Sequence, residues 1–168
     1  MKIISFQSDI LPLKNELFRM ALRITQNREE AEDVVQETMI KVWNRREQWS
    51  QLESIEAFCL TICRNLALDK LRRMDNQVQS LDGVTDPTDL SHSSNPEQIA
   101  ILNDRTRMVR QVINELPERL RTCMQLRDIE GKSYRDIATI LDITEQQVKV
   151  NIFRARQAVR ERYLKIEK

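Results

Sequence analysis

The spacing of apolar residues along the 168-residue chain predicts helices from near Asp9 to the C-terminus, with one long interruption. In the first third, apolar side chains recur every three or four residues, which places them on one face of an α-helix. The stripe of the first predicted helix is Ile10, Leu13, Leu17, Met20, Ala21 and Ile24. The pattern breaks at 25–27, and a second helix is predicted from Arg28 to about Arg46.

The second predicted helix has two distinct faces. One is an apolar stripe that must face a core, made of Ala31, Val34, Val35, Thr38 and Val42. The opposite face carries Asp33, Gln36, Glu37 and Ile40, with Trp43 on its flank. An isoleucine on an outer polar face has no core to enter, so this face suits docking onto another protein. A solvated face with one isolated apolar residue accounts for the pattern equally well.

A third long helix is predicted from Ser54, a plausible N-cap, to Arg73. Before it, residues 44–53 form a polar segment that contains Trp49 and is predicted to be a loop. The buried stripe of the third helix comprises Ile55, Phe58, Cys59, Ile62 and Leu66. Its second side presents Thr61, Arg64, Asn65, Leu68 and Arg72, with Asp69 beside them.

Residues 76–100 lack a sustained apolar period and contain Ser, Asp, Thr, Asn, Gly83 and Pro87. They also contain no Lys or Arg. This composition predicts a flexible linker. The chain should therefore consist of two helical domains, residues 1–75 and 101–168, on either side of the linker.

Four shorter helices are predicted after the linker. The first runs from Glu97 to Leu116, and Pro117 occupies a first-turn position of the next, whose apolar pattern continues to Ile129. A short helix over 133–141 follows, and a tight turn at Asp142-Ile143 leads to a last helix that begins with a capping-box pattern. Two short helices joined by a few residues, the second of them basic, are typical of a DNA-binding helix-turn-helix.

The last helix combines an inner apolar stripe with an outer arc suited to DNA. Val148, Ile152, Ala155 and Val159 face inward, whereas Gln146, Lys149, Val150, Phe153 and Gln157 face outward, with Arg154, Arg156 and Arg160 at the sides. Gln and Lys can hydrogen-bond to base edges, and Val and Phe can touch a thymine methyl group. Arginines suit phosphates. The alternative is an amphipathic helix with an ordinary solvated face.

Composition narrows the fold class and the functions available. Only two Gly and four Pro in a chain with 32% charged residues favour an all-α protein. The apolar runs are too short to cross a membrane, and the N-terminus has no signal-peptide pattern, so we expect a cytoplasmic protein. The three cysteines are predicted to be thiols packed in the core. Because the chain has only one histidine besides them, we expect no metal site and no cofactor. The sequence contains no pairing of a nucleophile with a base that would indicate an enzyme.

Charge is distributed unevenly between these parts. Residues 101–168 carry 15 Lys and Arg against 10 Asp and Glu, although the whole chain has a net charge of only +1. A basic helical unit is a candidate for binding the phosphate backbone of nucleic acid.

Three motifs, in this order, resemble the sigma-70 family of bacterial RNA polymerase initiation factors, and in particular its small extracytoplasmic-function (ECF) group. Residues 31–38 (Ala-Glu-Asp-Val-Val-Gln-Glu-Thr) resemble the core-binding helix of that family. Residues 62–73 resemble its promoter-melting helix, and 116–119 with 134–138 and 148–156 resemble its C-terminal helix-turn-helix. The resemblance covers nearly the whole chain except the linker.

The resemblance implies the partners and the site residues. Core RNA polymerase would bind through its β′ clamp helices and β flap, with Asp33, Gln36, Glu37 and Ile40 on the clamp contact. The −10 element of promoter DNA would meet Trp49, Arg64, Asn65, Asp69, Arg72 and Arg73. The −35 element would meet Gln146, Lys149, Val150, Phe153, Arg154 and Arg156. An anti-sigma factor is a further candidate partner, whose existence the sequence leaves open.

The chain departs from the family pattern at two places. A Trp common in the third helix is Phe58, and a Ser-Arg pair common after the recognition lysine is Val150-Asn151. The second departure leaves the −35 sequence undefined. The alternative function is an operator-binding helix-turn-helix regulator that does not join the polymerase. Such a regulator would need a sensor or receiver domain, and the N-terminal half shows no alternating strand–helix pattern.

Overall fold

A computed structural model describes the backbone of residues 3–80 and 96–167 and the side chains of residues 3–76 and 104–165. The described residues are almost entirely helical and contain no β-strand. Within the described residues, seven α-helices follow one another: α1 (Lys14–Thr25), α2 (Arg28–Asn44), α3 (Ile55–Ser80), α4 (Pro96–Glu115), α5 (Glu118–Met124), α6 (Tyr134–Leu141) and α7 (Glu145–Glu167). Short 3-10 or π turns occupy Phe6–Ile10, Leu11–Leu13, Arg46–Gln51 and Gln125–Ile129. The all-α prediction is confirmed.

The first three helices pack against one another and form the N-terminal unit. All five residues of the predicted α2 stripe are buried, as are the six of the first stripe. Asn27 caps α2, since its side chain accepts a hydrogen bond from the Glu30 N–H at 3.0 Å. The predicted cap Ser54 accepts from the Ala57 N–H at 3.1 Å.

Helices α4 to α7 form the C-terminal unit, in which α4, α5 and α6 all pack against α7. The predicted capping box is present, because Thr144 and Gln147 exchange hydrogen bonds of 2.9 and 3.1 Å between side chain and backbone. Asp142 ends α6 in the left-handed region at φ 56°. Short polar residues such as Asp tolerate this conformation better than most, as the turn requires.

Several local predictions differ from the structure. The segment around Trp49, expected to be a loop, includes a 3-10 helix at Arg46–Gln51. Helix α3 does not end at Arg73 but continues to Ser80. Pro117 precedes α5 as its N-cap rather than occupying the first turn. Ile129, placed in the core by its spacing, is half exposed, because the chain forms a π turn at Gln125–Ile129 that shifts the helical phase.

The two units are docked together and share a continuous apolar core. Helix α3 contacts α6, and α1 contacts α5, so α3 is covered on more sides than its predicted stripe requires. Leu60 and Cys63 are therefore buried together with Cys59, Ile62 and Leu66 of that stripe, whereas Ile55 and Phe58 are only partly buried against the core. The predicted linker, 76–100, is too long at both ends, because residues 76–80 belong to α3 and 96–100 to α4; its remaining residues, 81–95, lie outside the described part of the chain.

Candidate functional site

The outer face of α2 is exposed and acidic. Asp33, Gln36, Glu37 and Ile40 are all exposed, and Ile40 retains 59% of its accessible surface. Lys70 reaches this face from α3, with its Nζ 3.5 Å from Glu30, 4.0 Å from Asp33 and 3.8 Å from Glu37. One ammonium shared among three carboxylates leaves a net negative surface around an exposed isoleucine.

Trp43 extends this face toward the N-terminal segment. Its ring meets Phe6 edge-on at 5.7 Å and Trp49 at 6.1 Å, and the Arg46 guanidinium lies 4.7 Å from its centroid. Trp43 is half exposed, whereas Trp49 is buried and donates its indole N–H to the Val42 carbonyl at 3.0 Å. In this arrangement Trp49 supports the end of α2 and offers no ring surface to a base.

The predicted −10 residues of α3 divide into two groups. Asn65, Asp69, Arg72 and Arg73 are exposed, and Arg72 pairs with Asp69 at 3.0 Å. Arg64 is buried and makes two parallel hydrogen bonds to Glu118 of α5, at 3.1 and 3.0 Å. The structure therefore brings the first four residues to one open surface and holds Arg64 in the contact between the two units.

The outer face of α7 is open to solvent. All six predicted −35 residues are exposed, and Phe153 keeps 67% of its surface. Residues Gln146, Lys149, Val150 and Phe153 line one shallow depression. The inner side is apolar, with Val148, Ile152 and Ala155 buried. This helix thus combines a fixed core side with an outward surface of mixed polar and apolar groups, which suits base edges and methyl groups.

Two cations of this surface are positioned by neighbouring side chains. The Lys149 ammonium lies 5.5 Å from the Tyr134 ring centroid, and Arg127 lies 4.3 Å from the same ring. Arg156 donates to Asp128 at 3.1 Å, which raises the pKa of its guanidinium. These pairings narrow the directions in which the two cations can point.

The polar contacts between the two units have no local signal in the sequence, because the partners lie far apart along the chain. Lys132 binds Glu16 and Glu56, each at 2.8 Å, and Arg19 donates to Glu130 at 2.9 Å.

Arg121 and Gln26 strengthen this contact through backbone carbonyls. The Arg121 guanidinium donates to Ile24 at the end of α1, and to Asn114 and Leu116 at the end of α4. The Gln26 amide also donates to the Asn114 carbonyl, at 2.8 Å. The Arg121 side chain thus contacts the C-terminal ends of two helices, α1 and α4, which are the negative ends of their dipoles, and Gln26 contacts the end of α4.

All three cysteines are buried and unpaired. Burial raises the pKa of Cys59 and of Cys63 to about 12, and that of Cys123 to about 11. A thiol held neutral is a poor metal ligand, because the thiolate is the coordinating form. Within residues 3–76 and 104–165, no group of His, Cys, Asp and Glu has the arrangement of a metal site. No described helix is long and apolar enough to cross a membrane.

Comparisons with known proteins relate both units to described protein families. Residues 10–77 match the family model of sigma-70 region 2, and residues 106–159 match that of sigma-70 region 4. The chain is 30% identical to the RNA polymerase sigma-H factor of Pseudomonas aeruginosa, covering 92% of this chain and 84% of that protein. It is 32% identical to the ECF RNA polymerase sigma-E factor of Haemophilus influenzae, covering 79% and 74%.

A solved structure has the same fold over nearly its full length. The sigma factor RpoE of Bartonella quintana, crystallised with the anti-sigma factor NepR, matches with a TM-score of 0.74 and 25% identity over 97% of this chain and 98% of that one. The chain therefore belongs to the sigma-70 family of RNA polymerase sigma factors, in its ECF group, and is a promoter-specific transcription initiation factor rather than an enzyme.

Proposed function

We propose that the two units divide the work of promoter selection. Residues 1–75 bind core RNA polymerase and the −10 element, and residues 101–168 bind the −35 element. The match of separate family models to 10–77 and 106–159 supports this division. The observation that carries the polymerase contact is the outer face of α2. This face is exposed, acidic and partly apolar, whereas the opposite face of the same helix is buried in the core.

Core binding is assigned to Asp33, Gln36, Glu37 and Ile40, against the β′ clamp helices. The interface would bury Ile40, whose exposure is otherwise unfavourable, and its carboxylates would meet basic groups of the partner. Lys70 limits the repulsion among Glu30, Asp33 and Glu37 while the face is free. The C-terminal unit would meet the β flap.

The −10 contact is assigned to the surface of α3 with Asn65, Asp69, Arg72 and Arg73. A sigma factor opens DNA without hydrolysing ATP, so strand separation must be driven by binding unpaired bases and phosphates. Amide and guanidinium groups provide those contacts. Arg64 and Trp49 belong to the same assignment, and both need a rearrangement before they can reach DNA, because Glu118 and the core hold them.

The −35 contact is assigned to the outer face of α7. Gln146, Lys149, Val150 and Phe153 are placed at the base edges, whereas Arg154 and Arg156 are placed at the phosphates. The shared exposed depression supports the first assignment. An operator-binding regulator would have no use for the region 2 match or for the α2 face, so we do not favour that alternative.

Because the protein would act together with RNA polymerase, we propose that it is located with the polymerase in the cytoplasm. An anti-sigma factor is included as a candidate partner, since the structurally similar sigma factor of Bartonella quintana was crystallised with one.

The experiment that tests the function is holoenzyme assembly. Changing Asp33 and Gln36 together to Ala should weaken co-elution with core polymerase, because truncation of interface hot spots typically costs about 2 kcal/mol or more, which is about thirtyfold in affinity. Both side chains are exposed, so the helical circular-dichroism signal should not change.

The matched control is Glu29→Ala with Glu32→Ala, which removes two exposed polar side chains from the first turns of the same helix. This control should assemble like the wild type. If the variant with both Asp33 and Gln36 changed to Ala still co-elutes with core polymerase like the wild type, the core-binding assignment is wrong.

A further inference from the structure

Tyr134 is the first residue of α6, and two cations lie against its ring. The guanidinium carbon of Arg127 is 4.3 Å from the ring centroid, and the Lys149 ammonium is 5.5 Å from it. Both distances are within the range of a cation–π contact. Tyr134 is not among the residues assigned to promoter DNA, but this contact joins it to Lys149, which is.

The position of the Tyr134 ring is fixed by its surroundings. Tyr134 is partly buried and packs against the core. Ser133 caps the helix that Tyr134 begins, because its hydroxyl accepts a hydrogen bond from the Asp136 N–H at 3.1 Å. Arg127 is held by a second contact, a hydrogen bond of 2.8 Å to the Lys132 carbonyl. The ring is therefore a fixed element of the C-terminal unit.

Lys149, in contrast, does not define the direction of its own donors. A lysine carries a compact charge on a flexible stem, whereas the planar fork of an arginine fixes where its N–H groups point. Lys149 is exposed on the outer face of α7 and lines the same depression as Val150 and Phe153. A lysine that distinguishes one base from another therefore needs a second group that orients it.

The Tyr134 ring supplies this orientation and leaves donors available. The negative face of the ring attracts the ammonium charge, while N–H groups that point away from the ring remain free for acceptors on a base edge, such as O6 and N7 of guanine. A cation–π contact also becomes stronger when water is excluded from it, as DNA on this surface would do. The ring should thus hold Lys149 more firmly in the complex than in the free protein.

The residue next to Arg127 holds a different cation of α7. Asp128 accepts a hydrogen bond of 3.1 Å from Arg156, which is assigned to phosphate. Phosphate contacts carry no sequence information, so this pair should affect the affinity for all sequences alike. Asp128 and Tyr134 thus each hold one cation of the same helix, but only the cation held by Tyr134 is assigned to the bases.

We propose that Tyr134 is a positioning residue for promoter selection, whose ring directs the Lys149 ammonium at a base edge of the −35 element. This inference rests on the proposed function, which assigns Lys149 to the bases. Tyr134 acts through Lys149 and needs no contact of its own with DNA. Its ring should therefore affect discrimination between bases, and its hydroxyl should not.

The test changes the electrostatics of the ring while its shape is nearly constant. Holoenzymes are prepared with the wild-type protein, with Tyr134→Phe, and with pentafluorophenylalanine in place of Tyr134. The fluorine atoms withdraw the negative charge from the ring faces that attracts a cation. Affinity is measured for the −35 sequence selected from a random library and for duplexes with one changed base pair, and Lys149→Ala identifies the position that Lys149 reads.

At that position, Tyr134→Phe should discriminate between bases within about twofold of the wild type, because it keeps the ring. The fluorinated variant should lose about fivefold or more of the discrimination. In a Lys149→Ala background the fluorinated ring should cause no further loss, since the cation that it acts on is gone. Asp128→Asn is the matched control, and it should change the affinity for all sequences alike without changing the discrimination.

Equal discrimination by the fluorinated and Phe variants would overturn the proposal. A gain in discrimination by the fluorinated variant would also overturn it, because the ring would then compete with the base for Lys149. A uniform loss of affinity in Tyr134→Phe would mean that the hydroxyl contacts DNA instead. If Lys149→Ala keeps full discrimination, the −35 assignment of the proposed function is wrong as well, whereas a loss in Lys149→Ala without one in the fluorinated variant contradicts this inference alone.

Discussion

Single residues at the helix ends determine how the chain turns between elements. Gln26 adopts φ 55° after α1, a left-handed conformation that Gly usually supplies. A non-glycine residue pays a conformational cost there. Its amide offsets that cost by binding the Asn114 carbonyl of the other unit. The sequence shows the break at 25–27 but gives no sign that Gln26 also joins the two units.

The buried thiols predict how stability depends on pH. Cys59 and Cys63 keep their protons in the native state up to a pKa of about 12, whereas in the unfolded chain they ionise near 9.0. The unfolded state therefore loses protons first as the pH rises above 9. The free energy of unfolding should fall there by up to about 1.4 kcal/mol per thiol for each pH unit.

Urea unfolding at pH 8, 9 and 10 in reducing buffer measures this slope. In the double variant Cys59→Ala with Cys63→Ala, the free energy of unfolding should decline less steeply above pH 9. Some decline should remain, because other groups that titrate in this range are present in both proteins. Equal slopes for the two proteins would show that these thiols do not contribute to the pH dependence.

At the scale of elements, much of the fold could be predicted, because helices are encoded locally. The α2 stripe, the Ser54 cap and the Thr144–Gln147 box are each set by residues within a few turns, and all are confirmed. The π turn before Gly131 was not predictable, since five residues with one altered hydrogen-bond spacing leave no periodic signal. That turn is the reason Ile129 is half exposed rather than buried in the core.

The recognition helix carries a prediction at the same scale, because its side chains divide between base edges and phosphates. Lys149→Ala should lose about 1–3 kcal/mol of discrimination at one −35 position. Arg156→Ala should weaken binding to all sequences alike and lower the salt slope by about one unit. Selection of −35 sites from a random library, combined with binding at several salt concentrations, measures both effects.

Lys165→Ala is a suitable control on this helix, because Lys165 is exposed near the end of α7 and lies outside the predicted DNA-facing surface. Identical changes in the selected sequences for Lys149→Ala and Arg156→Ala would mean that α7 docks in a different orientation.

At the scale of the whole molecule, the docking of the two units could not be predicted from sequence. Its contacts join residues such as Arg19 and Glu130, whose positions differ by 111. The two surfaces look like ordinary solvated helix faces when each is considered alone. Arg64 is the clearest case, since its position on α3 resembles a DNA contact and its observed partner is Glu118.

Lys132 provides a test of this docking. It is largely buried between Glu16 and Glu56, so Lys132→Glu would place three carboxylates together and should separate the units. Small-angle X-ray scattering should give a radius of gyration near the value of about 15 Å expected for a compact chain of this length in the wild type, and a clearly larger one in the variant.

Adding Glu16→Lys to Lys132→Glu restores an opposite pair and should recover the compact value. Lys165→Glu, an equal charge change at an exposed position near the end of α7, should leave the radius unchanged. A compact Lys132→Glu variant would show that this ion-pair cluster does not hold the units together.

The buried pairing of Arg64 with Glu118 has a consequence for promoter affinity. One guanidinium cannot satisfy Glu118 and a DNA strand at the same time, so the protein's own carboxylate competes with the −10 contact proposed for Arg64. Such a competitor is always present and cannot be diluted. If 99% of the molecules hold Arg64 in this way, the apparent affinity through that contact falls about a hundredfold, or about 2.7 kcal/mol, below its intrinsic value. The strength of one ion pair would then set how selective the factor is among weak promoters.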